Sequence, residues 1–446
     1  MALASAPQLG DRELPFVDTV CSAQGMTRLL NGRVLPTIGR EPVNEAVTIE
    51  HVAYWPGETC VVRCDRPAAG VFAIATLSGD GELEATYRRH YGEASRAAAY
   101  LADERCLVEF FPADWMLPSL AWIVDPLHAR DLLTSLPDPA VSRAFASGCE
   151  VTLLTYRPHT RAVVCYTPAG ASSAGGTAVV GKIYRSASKA RTVWNNLRAL
   201  HAQAAASELV LPKPLALVEE RGLLLMERLA GPSLRQVLER DSTPASIDKV
   251  AQHAAGALAA LHALDSESLK VKVRTLAREV RRTREQAERV AAVAPLLAQQ
   301  VAASLDRLAP SIPRASSDAL RVAHADYALH QLLLLRRDRV GMLDFDKLSV
   351  GDPALDVSCF NAKVHRDAAR TGRPELRRLA ASFLAEYERR SGDVGLADRV
   401  RVIECVQLLR AAVRKFRVDP RAYAREGPSS LPNLLLGEAA DRIARL

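Results

Sequence analysis

Residues 324–356 read HADYALHQLLLLRRDRVGMLDFDKLSVGDPALD. Two short apolar runs, Leu332–Leu335 and Val340–Leu343, flank the polar turn RRDR at 336–339, a pattern that predicts a hairpin. A four-residue turn there pairs Leu335 with Val340, Leu332 with Leu343 and Gln331 with Asp344. Directly opposed residues of an antiparallel pair lie about 5 Å apart at Cβ. An amide oxygen and a carboxylate are then set side by side at the open end of an apolar ribbon. Hard cations such as Mg²⁺ take oxygen ligands of this kind, with phosphate and water completing the shell. Asp326 lies on the loop entering the same end, where it can act on a substrate hydroxyl beside the metal.

The chain has 446 residues, enough for two or three domains, and 48% of them are apolar, so a sizeable core is affordable. The formal charge of +7 is mildly basic. The arginines are scattered among acids and form no stripe of the kind that binds nucleic acid. No run approaches the roughly 18 apolar residues of a membrane span. The opening MALASAPQLGDRELPF has no basic-then-apolar leader pattern, so a cytoplasmic protein without a membrane partner is expected. None of the eight cysteines forms a C-x-x-C pair, and most sit beside apolar residues, as in AVVCY and VSCF. Buried free thiols are expected in preference to disulfides or zinc.

Residues 47–145 mix strand-like and helix-like segments. From 150 the chain turns to short strands, VTLLTY, RAVVCY and TAVVGKIY, with the turn AGASSAGG (169–176) before the last. A helical stretch from Lys189 to Ala206 follows, then LPKPLALVEE and the strand GLLLMERL. After Gly231-Pro232 the pattern is mostly helical, and residues 270–308 read as an amphipathic wall over the core. Strands first and helices after predict an α+β fold of two lobes. The first part also echoes the second. EHVAYWPGETCVVRC (50–64) lines up with LLTYRPHTRAVVCY (153–166), matching Tyr54 to Tyr156 and Val61-Val62 to Val163-Val164. MLPSLAWIVD (116–125) likewise resembles VLPKPLALVEE (210–220), and VFAIATL (71–77) resembles AVVGKIY (178–184). On that alignment Ala75 or Thr76 holds the place of Lys182, and the first copy is a structural cap.

The pattern His324-Ala325-Asp326, then Gln331, then a hairpin, then Asp344-Phe345-Asp346 and GDPALDV (351–357), resembles the catalytic region of the aminoglycoside phosphotransferase and choline kinase-like family. The resemblance covers roughly residues 150–420. It implies a bilobal protein-kinase-like fold with an additional N-terminal α/β cap. The cap would span residues 1–145, the small nucleotide-binding lobe 146–231 and the helical lobe 232–446. It also implies that Asp326 orients the acceptor hydroxyl and takes its proton, and that Gln331 and Asp344 hold Mg²⁺. Asp346 is a second metal ligand or a turn carboxylate, while His324 and Asp356 brace the catalytic loop. Lys182 would contact the α- and β-phosphates of ATP. RPHTR (157–161) would cover the nucleotide, with Arg157 and Arg161 making side-chain contacts because the loop lacks glycine. MERLAG (226–231) resembles the hinge, where adenine would bond to backbone groups around Glu227 to Leu229.

Two departures stand out. Gln331 replaces the family's Asn, as it does in sugar kinases of this fold that also carry an N-terminal cap. No acid lies between Lys182 and Glu208, so the helix lacks the lysine's usual Glu partner. Asn195 or Asn196 is the substitute within the helix; otherwise the partner lies outside it. The leading expectation is an ATP- and Mg²⁺-dependent kinase of a small-molecule hydroxyl. Residues 351–446 carry 18 Lys/Arg against 13 Asp/Glu. That balance favours a sugar, a sugar-like alcohol or an anionic metabolite over a polycationic aminoglycoside. The tail LLRAAVRKFRVDPRAYARE (408–426) is a solvated helix face or a source of cations for the acceptor pocket. A non-catalytic pseudokinase is the rival reading. A protein kinase is disfavoured, because GDPALD follows Asp346 too closely to leave an activation segment.

Overall fold

The computed structural model describes residues 8–67, 69–92, 95–170, 177–205, 208–312 and 320–446. The turn expected at 169–176 lies outside them except for its first two residues. Three short helices, α1 (Val17–Val20), α2 (Ala23–Leu29) and α3 (Leu35–Thr37), lead into β1 (Thr48–Trp55), β2 (Thr59–Arg66) and β3 (Gly70–Ser78). On β2, Cys60, Val62 and Cys64 are buried at a spacing of two, which turns one face of the sheet onto these helices. Helix α4 (Leu83–His90) then connects to the hairpin β4 (Ala98–Leu101) and β5 (Cys106–Phe110). The antiparallel sheet runs β1-β2-β3-β5-β4.

A second unit repeats this order. Helices α5 (Leu120–Ile123), α6 (Pro126–Thr134) and α7 (Pro139–Ala144) precede β6 (Cys149–Arg157), β7 (Arg161–Pro168) and β8 (Val179–Tyr184). Helix α8 (Ala187–Ala204) follows, then the short β9 (Leu209–Val210) and the hairpin β10 (Pro214–Val218) and β11 (Leu223–Glu227). The sheet reads β6-β7-β8-β11-β10. One clamp recurs in both units. Asp11 accepts from the amides of Glu13 and Leu14, from the Tyr54 hydroxyl (2.6 Å) and from the Gly57 amide (2.9 Å). Asp114 accepts from Met116, Leu117, the Tyr156 hydroxyl (2.8 Å) and the His159 amide (2.8 Å). Thr76 faces Val61 where, in the second sheet, Lys182 faces Val163.

The expected match of MLPSLAWIVD to a strand is corrected. Leu117, Leu120 and Ile123 are buried at threes, a helical spacing, and the segment forms a turn and α5. The strands that stand where β10 and β11 stand are β4 and β5.

The second lobe is helical. Ser233 and Gln236 form a reciprocal capping box that starts α9 (Leu234–Arg240), and Thr243 caps α10 (Pro244–His262). The stretch expected to be wholly helical at 270–308 begins instead with a strand, β12 (Lys272–Arg274), before α11 (Leu276–Val290) and α12 (Pro295–Leu308). Next come β13 (Arg321–Ala323), the hairpin β14 (Leu332–Leu334) and β15 (Val340–Met342), and β16 (Ser349–Gly351). Long helices α13 (Ala354–Thr371), α14 (Leu376–Ser391) and α15 (Leu396–Val418), with α16 (Pro420–Glu426) and α17 (Leu431–Ile443), complete the lobe. Among the described residues no helix is long and apolar enough to cross a membrane. All eight cysteines are free thiols.

The hairpin register differs by one residue from the expected one. Leu332 pairs with Met342 and Leu334 with Val340, so Gln331 lies opposite Leu343, whose amide donates to its carbonyl at 2.9 Å. Two constraints account for this. Arg337 and Asp338 take left-handed conformations that lengthen the turn, and the Leu334 amide is pinned to the Pro232 carbonyl at 2.9 Å. Gly341 then sits where a Cβ would come within 2.9 Å of Leu229 and 3.2 Å of Leu335.

The Asp11 clamp ties the first helices to the β1–β2 turn. Asp11→Ala leaves the Tyr54 hydroxyl and up to three amides short of an acceptor. We expect it to cost about 2–3 kcal/mol in denaturant unfolding. A change within experimental error would show that the clamp carries no load.

Candidate active site

The second sheet and the end of the hairpin meet through four charges. Lys182, mid-strand on β8 and 6% exposed, bonds Asp344 at 2.8 Å and Asp346 at 2.6 Å. Arg161, at the start of β7, bonds Asp346 and lies 3.3 Å from Asp344. The Tyr184 hydroxyl adds a 2.7 Å bond to Asp346, and Lys189 donates to the Asp346 carbonyl. The partner of Lys182 is therefore outside α8. Asn196 is bonded instead to the backbone of Lys270, and Asn195 is exposed. Burial opposes ionisation of Asp344, but the Lys182 and Arg161 charges outweigh it and hold the carboxyl well below the usual range.

Asp344 adopts a left-handed backbone (φ 68°, ψ 65°), which breaks the pleat just past β15 and turns its carboxylate toward β8. The expected cross-strand pairing of Gln331 with Asp344 is thus not supplied by the register. Gln331 is nonetheless buried, and its Oε1 has no hydrogen-bond partner. An orphaned amide oxygen and two carboxylates form the all-oxygen donor set that suits a hard divalent cation.

Asp326 lies on the loop after β13. Its carboxylate is bonded by Lys363 at 2.5 Å and Lys347 at 2.8 Å. Burial would raise its pKa, yet the two lysines drive it far below the usual carboxylate range. Asp326 is a full anion at any working pH, better suited in this state to orienting a hydroxyl than to accepting its proton. Asp356, fully buried in the first turn of α13, holds the loop in place. It accepts from the amides of His324 (2.6 Å) and Ala325 (2.8 Å). Ala325 is left-handed (φ 60°), and such strain persists only where neighbours impose it. Burial lowers the pKa of His324, leaving a neutral ring whose Nε2 donates to the Leu343 carbonyl at 2.9 Å. The loop and the hairpin are joined there. Behind Asp356, Arg274 links to Glu279 and Glu279 to Arg410.

At the hinge the amides of Glu227 and Arg228 already donate to the carbonyls of Lys213 and Ala178. Those two amides are therefore already engaged within the protein. Arg157 is exposed at the end of β6, close enough to Asp326 and Asp344 to feel both charges.

Sequence reasoning missed the latch on the RPHTR loop. His159 at its tip is left-handed (φ 59°) and buried. Its Nε2 meets Glu109 of β5 at 2.8 Å. Glu109 also accepts from the Tyr91 hydroxyl and the Trp115 amide. Glu109, Asp114 and His159 have the geometry of a metal group, but every carboxylate oxygen is already used by a protein donor. The D-x-x-L-P repeated at 11–15 and 114–118 was the available signal.

A family model described as the phosphotransferase enzyme family matches residues 171–405, more than half of the chain, and the chain belongs to that family. Comparison with curated proteins finds no match. Among solved structures, a protein of Ralstonia eutropha JMP134 assigned as an aminoglycoside phosphotransferase is 16% identical. It covers 70% of this chain and 97% of its own, with a TM-score of 0.49. A choline/ethanolamine kinase family protein from Mesorhizobium loti is 15% identical over 71% of this chain and 97% of its own, at 0.46. Aminoglycoside phosphotransferase APH(4)-Ia, solved with AMP-PNP and hygromycin B, is 16% identical over 67% and 95%, at 0.44.

Burial works against the charged His159 imidazolium, but the Glu109 bond and the Asp114 and Glu109 charges outweigh it and raise its pKa above 6.5. The stability this pairing supplies is complete below 6.5 and lost as pH rises through the folded pKa. Wild type should therefore exceed His159→Gln in unfolding free energy most below about pH 6.5, and the gap should shrink as pH rises above it. A gap independent of pH would mean that His159 is held neutral.

Proposed function

We propose that this protein is an ATP- and Mg²⁺-dependent phosphotransferase acting on a hydroxyl of a small molecule of the sugar or sugar-like class. The observation that carries the proposal is the meeting of Lys182 and Arg161 with Asp344 and Asp346, next to a loop that presents Asp326. Family membership supports the same reading.

In this reading Lys182 binds the α- and β-phosphates, and Arg157 and Arg161 close over the nucleotide from the RPHTR loop. Adenine stacks at the hinge from Glu227 to Leu229. Asp344, Asp346 and the orphaned Gln331 oxygen hold the metal, which when bound neutralises charge on the phosphates. Asp326 accepts a hydrogen bond from the acceptor hydroxyl and fixes its line of attack; catalysis is then mostly positioning. His324 and Asp356 keep that loop in its strained form.

The work is assigned to the cytoplasm, where ATP is supplied and thiols stay reduced, with no nucleic-acid or membrane partner. We also propose that residues 9–110 are a copy of the small lobe that lacks the phosphate-binding cation, Thr76 standing for Lys182. The packing of residues 117–145 against the second sheet supports a boundary near 112 in place of 145.

Asp326→Asn is expected to bind Mg-ATP nearly as tightly as wild type and, with the carboxylate that orients the acceptor hydroxyl gone, to lose on the order of 10²-fold in turnover. Calorimetry and steady-state phosphate transfer check the two halves. Equal turnover would show that Asp326 is misassigned. A wild-type protein that binds no Mg-nucleotide would be a pseudokinase.

A further inference from the structure

A cavity opens directly beside Asp326, between α13 and α15. Six of its lining residues are cations: Lys347, Lys363, Arg366, Arg410, Arg414 and Lys415. Asp326 is the one acid among them. The clustering follows from helical spacing. Arg410 and Arg414 lie four residues apart on α15 with Lys415 next to them, and Lys363 and Arg366 lie three apart on α13, so each set shares a face.

Most of these charges have a partner. Lys347 and Lys363 bond Asp326, Arg366 bonds Asp367 and Arg410 bonds Glu279. Among the described residues the Arg414 guanidinium and the Lys415 ammonium have no hydrogen-bond or ion-pair partner. Burial and the neighbouring Arg366 and Arg414 charges push Lys415 down to about 8. On the other side of Lys347 and Arg410 a second cavity, of about 370 Å³, is again lined by cations, among them Lys189, Lys270, Lys272, Arg278 and Arg282. Even with Asp326, Asp367, Glu279 and Asp346 nearby, the cations outnumber the acids here, and Arg414 and Lys415 stand in that excess, a field that favours a bound anion.

Resting on the phosphotransferase reading, we propose that the acceptor is an alcohol that also carries an anionic group, a carboxylate or a phosphate ester, seated on Arg414 and Lys415. The bound anion supplies the partner those two side chains lack. It also competes for Lys347 and Lys363, which now cover the Asp326 carboxylate and narrow the cavity to about 60 Å³. Drawing the lysines onto the substrate frees Asp326 to receive the hydroxyl. A polycationic acceptor would meet repulsion at every one of these positions.

The test is calorimetric. AMP-PNP with Mg²⁺ is titrated first, and its binding reads the phosphotransferase proposal by itself. Glycerol, D-glycerate, glycerol 3-phosphate and hygromycin B are then titrated into the protein, with the nucleotide present where it binds and into the free protein where it does not. D-Glycerate and glycerol 3-phosphate separate a carboxylate from a phosphate preference. We expect at least one of the two anionic alcohols to bind and glycerol to bind roughly tenfold more weakly or not at all. Arg414→Ala combined with Lys415→Ala should weaken the anion roughly ten- to hundredfold. Both side chains are solvent-facing or half-buried on α15, so the variant should fold, and an unchanged melting temperature verifies this. Equal affinity for glycerol and the anions, no affinity for either anion, unaltered anion binding in the double variant, or preference for hygromycin B would each overturn the proposal.

Discussion

Two cations from the second sheet face two carboxylates from the end of the hairpin, and this contact joins the sheet to the loop that carries the proposed chemistry. Lys182 and Arg161 are mostly buried, as are Asp344 and Asp346, so each charge has lost much of its water. Removing one partner from such a group is costly, because it strands a buried charge. The group is neutral as it stands, two against two. That neutrality explains why α8 needs no glutamate. An acid there would add a third negative charge to a set already balanced across the cleft. In the proposed reaction the same four groups exchange partners, the cations going to phosphates and the carboxylates to the metal.

Around this contact the protein is held by buried polar groups more than by surface ion pairs. Asp356 forces Ala325 into a left-handed conformation and, through Arg274 and Glu279, ties the loop to Arg410 at the acceptor side. On the second sheet, Glu109 and Asp114 fasten the RPHTR loop to the preceding unit through His159. The glycine that usually lets such a loop close over phosphate by backbone contacts is absent. A fixed loop presenting arginine side chains takes its place, and the first sheet is part of what fixes it.

Much of this was legible in the sequence. The apolar runs of strands, the spacing from His324 to Asp326 to Asp344, and an apolar lysine strand at Lys182 each follow from local pattern. The repeat of the first sheet was visible at Tyr54 and Tyr156. What escaped has common causes. The hairpin register turns on left-handed Arg337 and Asp338 and on an anchor at Pro232, none of which alternation records. Residues 116–125 read as a strand because Leu-Pro and apolar neighbours suit either state. Arg274 and Glu279 read only as charged positions of the amphipathic wall at 270–308, whereas both are buried and paired. Glu109, Asp114 and His159 are distant in sequence and become partners only when the two units pack.

The central claim is that the Lys182, Arg161, Asp344 and Asp346 cluster is a metal-nucleotide site in its unliganded form. Calorimetric titration of AMP-PNP with and without Mg²⁺, into wild type and Lys182→Ala, tests it most directly. The account predicts binding to wild type that depends on Mg²⁺ and weakens roughly ten- to hundredfold in Lys182→Ala. Equal affinity with and without Mg²⁺, or equal affinity in the two proteins, would contradict it.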